Sequence, residues 1–182
     1  MAVHKNLLLF FLLFPNLIFG SQIGAASNST IEILAEDIIK TSEDTYLVGV
    51  KFRLDPGWHT YWINPGDSGE KASFEWKLPE GVKISNPKWP SPEIIPYPPL
   101  MTYGYNEEVT ILFNLTVERD LQASEQIFLK SNWLACEDVC LPQSASVETT
   151  FLEIDDYNLS NKNSKLLEKQ KKLPKKLPTS IK

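Results

Sequence analysis

Apolar and polar residues alternate most cleanly over Thr45 to Leu54, where Tyr46, Val48, Val50, Phe52 and Leu54 fall on one side of an extended chain. A period of two predicts a strand with one face buried and the other wet. Ile31 to Ile39 has strand-like apolar content, and Asp55-Pro56-Gly57 is a turn signal before a short aromatic strand at Trp58 to Ile63. Asn64-Pro65-Gly66-Asp67-Ser68-Gly69 then reads as a loop, because two Gly and a Pro interrupt either regular structure. Further strands are predicted at Ser73 to Leu78 and Val82 to Ser85, on either side of the reversal Pro79-Glu80-Gly81. Asn86 to Pro99 holds six Pro, too many for a central strand, and is expected to be an ordered crossover lying over the domain and ending in Tyr103-Gly104-Tyr105. Val109 to Val117, Gln126 to Leu134 and Ser144 to Ile154 complete about eight short strands, with no convincing amphipathic helix. The pattern predicts an all-β sandwich.

The 182 residues suit a single domain with a core of its own. Five Trp, six Tyr, nine Phe and thirteen Pro agree with β structure and turns. At the N-terminus His4 and Lys5 precede an apolar run from Leu7 to Phe19, too short to span a bilayer comfortably and typical of an export signal. The expected division is a signal peptide at residues 1–26, with the mature start between Ser21 and Asn28, a domain at 27–156 and a basic tail at 157–182. From Asn158 onward eight Lys face one acid, Glu168, so this stretch carries +7 and the remainder of a chain of formal net charge -5 carries -12. A basic tail attracts anions in general, but export argues against nucleic acid, and the tail is expected to be a solvated linker. Ser160 to Leu173 has helix-forming composition, bounded by Pro174 and Pro178.

Chemistry concentrates at Cys136 and Cys140, the two cysteines of the chain. Exported thiols meet an oxidising compartment, so the two should pair. A hairpin turn or a helical turn over the three intervening residues would bring their α-carbons within disulfide range. So short a loop contributes only about 2 kcal/mol as a cross-link, which makes a purely structural role inefficient, although spacing alone leaves both a staple and a reaction centre open. Glu137 and Asp138 lie between the thiols and disfavour a thiolate. The expectation is an unreactive dithiol at rest, activated when a partner docks.

Four segments in order, Gly57-Trp58-His59-Thr60-Tyr61-Trp62-Ile63-Asn64-Pro65-Gly66-Asp67-Ser68-Gly69, Trp89-Pro90-Ser91-Pro92, Thr102-Tyr103-Gly104-Tyr105 and Trp133-Leu134-Ala135-Cys136-Glu137-Asp138-Val139-Cys140-Leu141-Pro142, closely resemble the N-terminal periplasmic domain of DsbD-type protein-disulfide reductases, especially the ScsB-like branch. The resemblance covers most of Ile31 to Asp155. It implies an immunoglobulin-like β-sandwich acting as a protein-disulfide oxidoreductase domain without a cofactor or metal. Its Cys136–Cys140 disulfide would take electrons from a membrane-embedded DsbD- or CcdA-like donor and reduce thioredoxin-fold periplasmic proteins. By motif, Cys140 would be the interchange thiol and Cys136 the resolving one. A cap loop formed by Met101, Thr102, Tyr103 and Gly104 would shield the pair, with Met101 or Tyr103 standing in for the Phe of the best-known cap. The three-residue spacing between the cysteines departs from the five of the best-known domain, so its turn geometry does not carry over. Family members also usually continue into a polytopic membrane domain, and Lys172 to Pro178 reads as a junction leading onward; the expectation is either that electrons come from a separate protein or that the sequence is a short or truncated form of a longer reductase.

Other readings compete. Trp58, Tyr61, Trp62, Trp76 and Trp89 are a candidate sugar platform, although such residues more often fill a core. Cys136, Cys140, His59 and Met101 form a soft set suited to Cu(I); the alternative to an exchange domain is a non-catalytic periplasmic binding module, for copper or another ligand, with a structural disulfide. Asp67 with Glu70, or Glu107 with Glu108, are candidate carboxylate pairs, but loop carboxylates beside Gly usually shape turns.

Overall fold

The computed structural model describes residues 23–35, 38–120, 122, 124–150 and 164–174. The expected signal run at 1–22 and the boundary expected at 156/157 lie outside them. The described residues form twelve strands: β1 (Ile23–Ala26), β2 (Ser29–Ile33), β3 (Ile39–Lys40), β4 (Thr45–Leu54), β5 (His59–Gly66), β6 (Ser73–Lys77), β7 (Val82–Ile84), β8 (Glu93–Tyr97), β9 (Leu100–Asn106), β10 (Glu108–Val117), β11 (Gln126–Cys136) and β12 (Cys140–Thr150). One helix, α1 (Lys165–Lys171), follows.

Alternation turns into two antiparallel sheets. The first has the order β1-β2-β4-β10-β7, with β3 also on β4; the second has the order β12-β11-β5-β9-β8, with β6 also on β11. Val48, Val50 and Phe52 of β4 and Ile111 and Phe113 of β10 face Ile127, Leu129 and Trp133 of β11 in one core cluster. Each such side chain withdrawn from water contributes about 1.5–3 kcal/mol. The rings meet edge to face, Phe52 on Trp133 at 5.2 Å and Phe113 on Phe74 at 5.1 Å and Trp76 at 5.2 Å. The architecture is the all-β, immunoglobulin-like sandwich that the alternation and the motifs predict.

Several expectations are corrected in detail. The strand expected from Ile31 to Ile39 is two, β2 and β3. β5 continues through Asn64-Pro65-Gly66, expected as a loop, because after a register shift Gly66 pairs with Thr102. At φ 88°, with a Cβ position only 2.4 Å from the Met101 carbonyl oxygen, this position suits glycine. The Pro-rich crossover contains β8, which pairs with β9 through the two-residue turn Pro98-Pro99. Pro96 is tolerated there because β8 is an edge strand with β9 as its neighbour.

Two observations concern the ends. β1 lies inside the stretch expected as signal, yet it pairs with β2 from Ile23↔Glu32 to Ala26↔Ser29, so the sheet includes Ile23. Residues 164–173, expected as part of a solvated linker, instead pack on the outer face of the first sheet. Ser164 caps α1 by accepting from the Leu166 N–H at 3.2 Å. Leu166 is fully buried against Ile39, Leu47 and Leu112, flanked by Leu34, Leu167 and Leu173. Gly49 makes the room: a Cβ there would lie 2.6 Å from Leu166 Cδ2. The face of β4 expected to be wet is therefore dry at Leu47 and Gly49.

Candidate functional site

β11 and β12 pair without a break from Gln126↔Thr150 to Cys136↔Cys140, and this register sets the two cysteines opposite one another at the end of the hairpin. Their α-carbons are 4.1 Å apart and the sulfurs are bonded at 2.07 Å. Between them Glu137, Asp138 and Val139 make the turn, with the Glu137 N–H donating to the Val139 carbonyl at 3.2 Å. The hairpin is tied to the N-terminal strands: the Trp133 indole N–H donates to Ser29 Oγ at 3.0 Å, and the Gln143 amide exchanges hydrogen bonds with Ser27.

The two cysteines differ in exposure. Cys136 is 1% exposed, between β12 and β5, where His59 is its partner across the ladder. Cys140 belongs to an exposed residue at the mouth of the hairpin. Tyr61, two positions beyond His59 on β5, is buried, and its hydroxyl donates to Cys136 Sγ at 3.1 Å and lies 3.4 Å from Cys140 Sγ. Burial pushes the Tyr61 phenol up from its ordinary value, a hydrogen bond with Ser68 works against this, and the nearby Tyr97 adds to the rise. It therefore keeps its proton at neutral pH. The Tyr61 ring meets His59 edge to face at 5.4 Å. Burial holds the His59 imidazole below 6.5, so it is largely neutral at pH 7.

Gly69 builds the seat of Tyr61. With φ at 95° and a Cβ position only 2.2 Å from the Tyr61 ring, no side chain fits where the ring lies. The same loop holds the facing hairpin: Asp67 Oδ2 accepts from the Met101 N–H at 2.8 Å, while the Asp67 N–H donates to the Met101 carbonyl at 3.0 Å.

Together these elements enclose a cleft of about 210 Å³ lined by His59, Tyr61, Ser68, Tyr97, Leu100, Thr102, Cys136, Glu137, Asp138 and Cys140. A larger hollow of about 300 Å³ runs along Trp133, Leu134 and Pro142, but neither sulfur lines it. Of the expected cap residues, Thr102 reaches the cleft, buried and donating through Oγ1 to the Ile95 carbonyl at 2.8 Å. Met101 is 49% exposed and lies outside the cleft lining, Tyr103 packs beside Gly66, and Gly104 pairs with Tyr61 in the ladder. Tyr97 and Leu100, on either side of Pro98-Pro99, also line the cleft. Sequence reasoning missed these two, whose signal is an apolar pair bracketing a turn, and it missed the role of Tyr61, which shares a strand face with His59 at spacing two.

Trp89 and Tyr61 are buried, and Trp58, Trp62 and Trp76 pack partly buried against the core, so these five rings do not form one exposed platform. Of the soft set, His59, Cys136 and Cys140 share the cleft and Met101 does not. Among the described residues no group of three or more His, Cys, Asp or Glu could hold a metal ion. Asp67 is engaged with Met101, and Glu108 lies 3.9 Å from both Lys51 and Arg53. No described helix is long and apolar enough to cross a membrane.

Among solved structures, the chain is similar to the N-terminal periplasmic domain of ScsB from Proteus mirabilis at a TM-score of 0.61 and 21% identity. That match covers 82% of this chain and 56% of the other, so the chain spans little more than half of that structure. The likeness is one of fold. Matches to the yeast GGA1 GAE domain (TM-score 0.40, 10% identity, covering 71% of this chain and 98% of that one) and to the GAE domain of GGA2p from Saccharomyces cerevisiae (TM-score 0.37, 12% identity, 70% and 94%) are too weak to bear on function. No curated protein matches the chain. The profile of the family described as thiol:disulfide interchange protein DsbD, N-terminal, matches residues 32–152, which include β3 to β12 and both cysteines, and the chain belongs to that family of thiol–disulfide exchange domains.

Proposed function

We propose that the Cys136–Cys140 pair is redox-active and passes electrons, outside the cytoplasm, from a membrane-embedded reductase to thioredoxin-fold proteins. The observation that carries this reading is the asymmetry of the disulfide: Cys140 is exposed, while Cys136 is 1% exposed and accepts the Tyr61 hydrogen bond. An incoming thiolate attacks the accessible sulfur, Cys140 Sγ, and the electron pair of the broken S–S bond leaves on Cys136, where the Tyr61 hydroxyl stabilises the developing thiolate. The second thiolate of the donor resolves the mixed disulfide, leaving the domain as a dithiol and the donor oxidised. In the second half, the Cys140 thiolate attacks the disulfide of an acceptor, and Cys136 closes on Cys140 to release the acceptor as a dithiol. Tyr97, Leu100 and Thr102 cover the pair between encounters as its cap, a part assigned from their place in the cleft.

Trapping tests the reading. A Cys136→Ala variant should form a mixed disulfide through Cys140 with a thioredoxin-fold protein, and a Cys140→Ala variant should form none. Absence of an adduct, together with a disulfide that resists reduction at potentials above about -300 mV, would leave a structural bridge in a binding module.

A further inference from the structure

The charge within the cleft is one-sided. Its lining contains no Lys or Arg, burial lowers the His59 pKa so that the imidazole is largely neutral at pH 7, and Tyr61 keeps its proton, so Glu137 and Asp138 supply its formal charge. Both are exposed, and neither takes part in an ion pair among the described residues. Glu137 lies across the turn between β4 and β5, where a Cβ on Gly57 would meet its Oε1 at 2.7 Å, and Gly57 has φ 87°. The carboxylates also occupy the turn that joins the two sulfurs, so any group approaching Cys140 meets them. Around them Tyr97, Val139 and Leu141 are 55%, 61% and 37% exposed, an apolar rim that excludes water and weakens screening once a reactant is seated.

We propose that Glu137 and Asp138 are the specificity determinants of this disulfide: they favour exchange with thiols and disulfides flanked by positive charge and disfavour anionic ones. The proposal rests on the exchange reading above. It names the partner chemistry as an apolar surface with basic residues beside its cysteine, and it makes small anionic thiols poor competitors. In each exchange the Cys140 thiolate forms a bond to one sulfur of the incoming disulfide, which releases its other half as a thiolate. The Cys136 thiolate then displaces the bound half, so two electrons leave the domain and two thiols are produced. The carboxylates take no part in bond making; they change the local concentration of the reactant and the stability of the encounter.

The experiment uses the reduced full chain and three disulfide probes: cystamine, which is dicationic, bis(2-hydroxyethyl) disulfide, which is neutral, and dithiodipropionate, which is dianionic. Each rate is divided by the rate of the same probe with 2-mercaptoethanol, which removes intrinsic reactivity. The corrected preference for cystamine over dithiodipropionate should be about 10-fold or more at low salt and shrink at ~1 M NaCl. The E137Q/D138N variant should bring it close to 1. A control that removes two distant exposed carboxylates, E43Q/D120N, should retain it. A corrected preference near 1 in the unaltered chain, or one that survives in E137Q/D138N, overturns the proposal while leaving the exchange reading intact. Reaction with none of the three probes overturns the exchange reading, and the proposal with it.

Discussion

The hydroxyl of Tyr61 donates a hydrogen bond to Cys136 Sγ at 3.1 Å, from a strand 75 residues away in sequence. Glu137 and Asp138 repel a thiolate, and Tyr61 is the group that opposes them. The carboxylates alone suggest a dithiol that is inert at rest; the phenol supplies a donor for whichever sulfur carries charge.

Replacing Tyr61 by Phe keeps the ring on Gly69 and removes this donor. One hydrogen bond is worth about 0.5–1.5 kcal/mol net, so the thiolate-forming cysteine of the reduced domain should rise by up to about one pKa unit. Thiolate absorbance against pH measures this directly. An unchanged titration in Tyr61→Phe would remove Tyr61 from the chemistry.

Gly69→Ala should be costly for a loop residue. The new Cβ would stand 2.2 Å from the Tyr61 ring, at a backbone φ of 95° that an L side chain rarely adopts. A loss of about 1–3 kcal/mol is expected from overpacking and strain combined. Urea denaturation gives the magnitude. Displacement of the ring should also shrink the change in thiol titration that Tyr61→Phe produces when it is made in the Gly69→Ala background.

Leu166→Ala tests whether the C-terminal helix belongs to the domain. Its side chain is fully buried in the pocket over Gly49, and removing it should cost about 2–5 kcal/mol if the pocket does not collapse. Disulfide exchange rates should stay unchanged, because the helix lies on the first sheet and the cysteines on the second. A stability change near zero would show the helix undocked in solution.

His59 should give the folded domain a pH dependence. Burial lowers its imidazole pKa below 6.5, so below that pH the unfolded chain takes up a proton before the folded one. Stability is complete above about 6.5, falls as the pH drops from there, and levels off once the folded imidazole is also protonated. His59→Gln should flatten the stability profile below about pH 6.5. An unchanged slope would assign it to other groups.

The core was legible where one rule governs a whole segment. β4 and β10 follow from alternation because both flank the core along their length, and the side-chain period of a strand is two. The Pro-rich stretch was not legible as β8 because proline excludes a central strand but not an edge, and edge status depends on the partners a strand finds. The docking of helix α1 was hidden for a similar reason: its composition favours a helix, but its seven residues carry enough Lys to read as solvated, and its place on the sheet comes from one leucine meeting a glycine of another element.

Sequence alone determined that the chain is β-rich, that its two cysteines stand close enough to pair, and which family its motifs match, since each of these rests on residues near one another in the chain. Tertiary structure decided the rest of the site. The sulfurs became unequal because β5 and β12 bury Cys136 and leave Cys140 at the rim; the phenol reached them because β5 lies beside β11; and the wall of the cleft passed to Tyr97 and Leu100 because the β8–β9 hairpin turns between them. Access, hydrogen bonding and local charge depend on which strands become neighbours, and that is settled by the packing of two sheets around one core rather than by any local pattern.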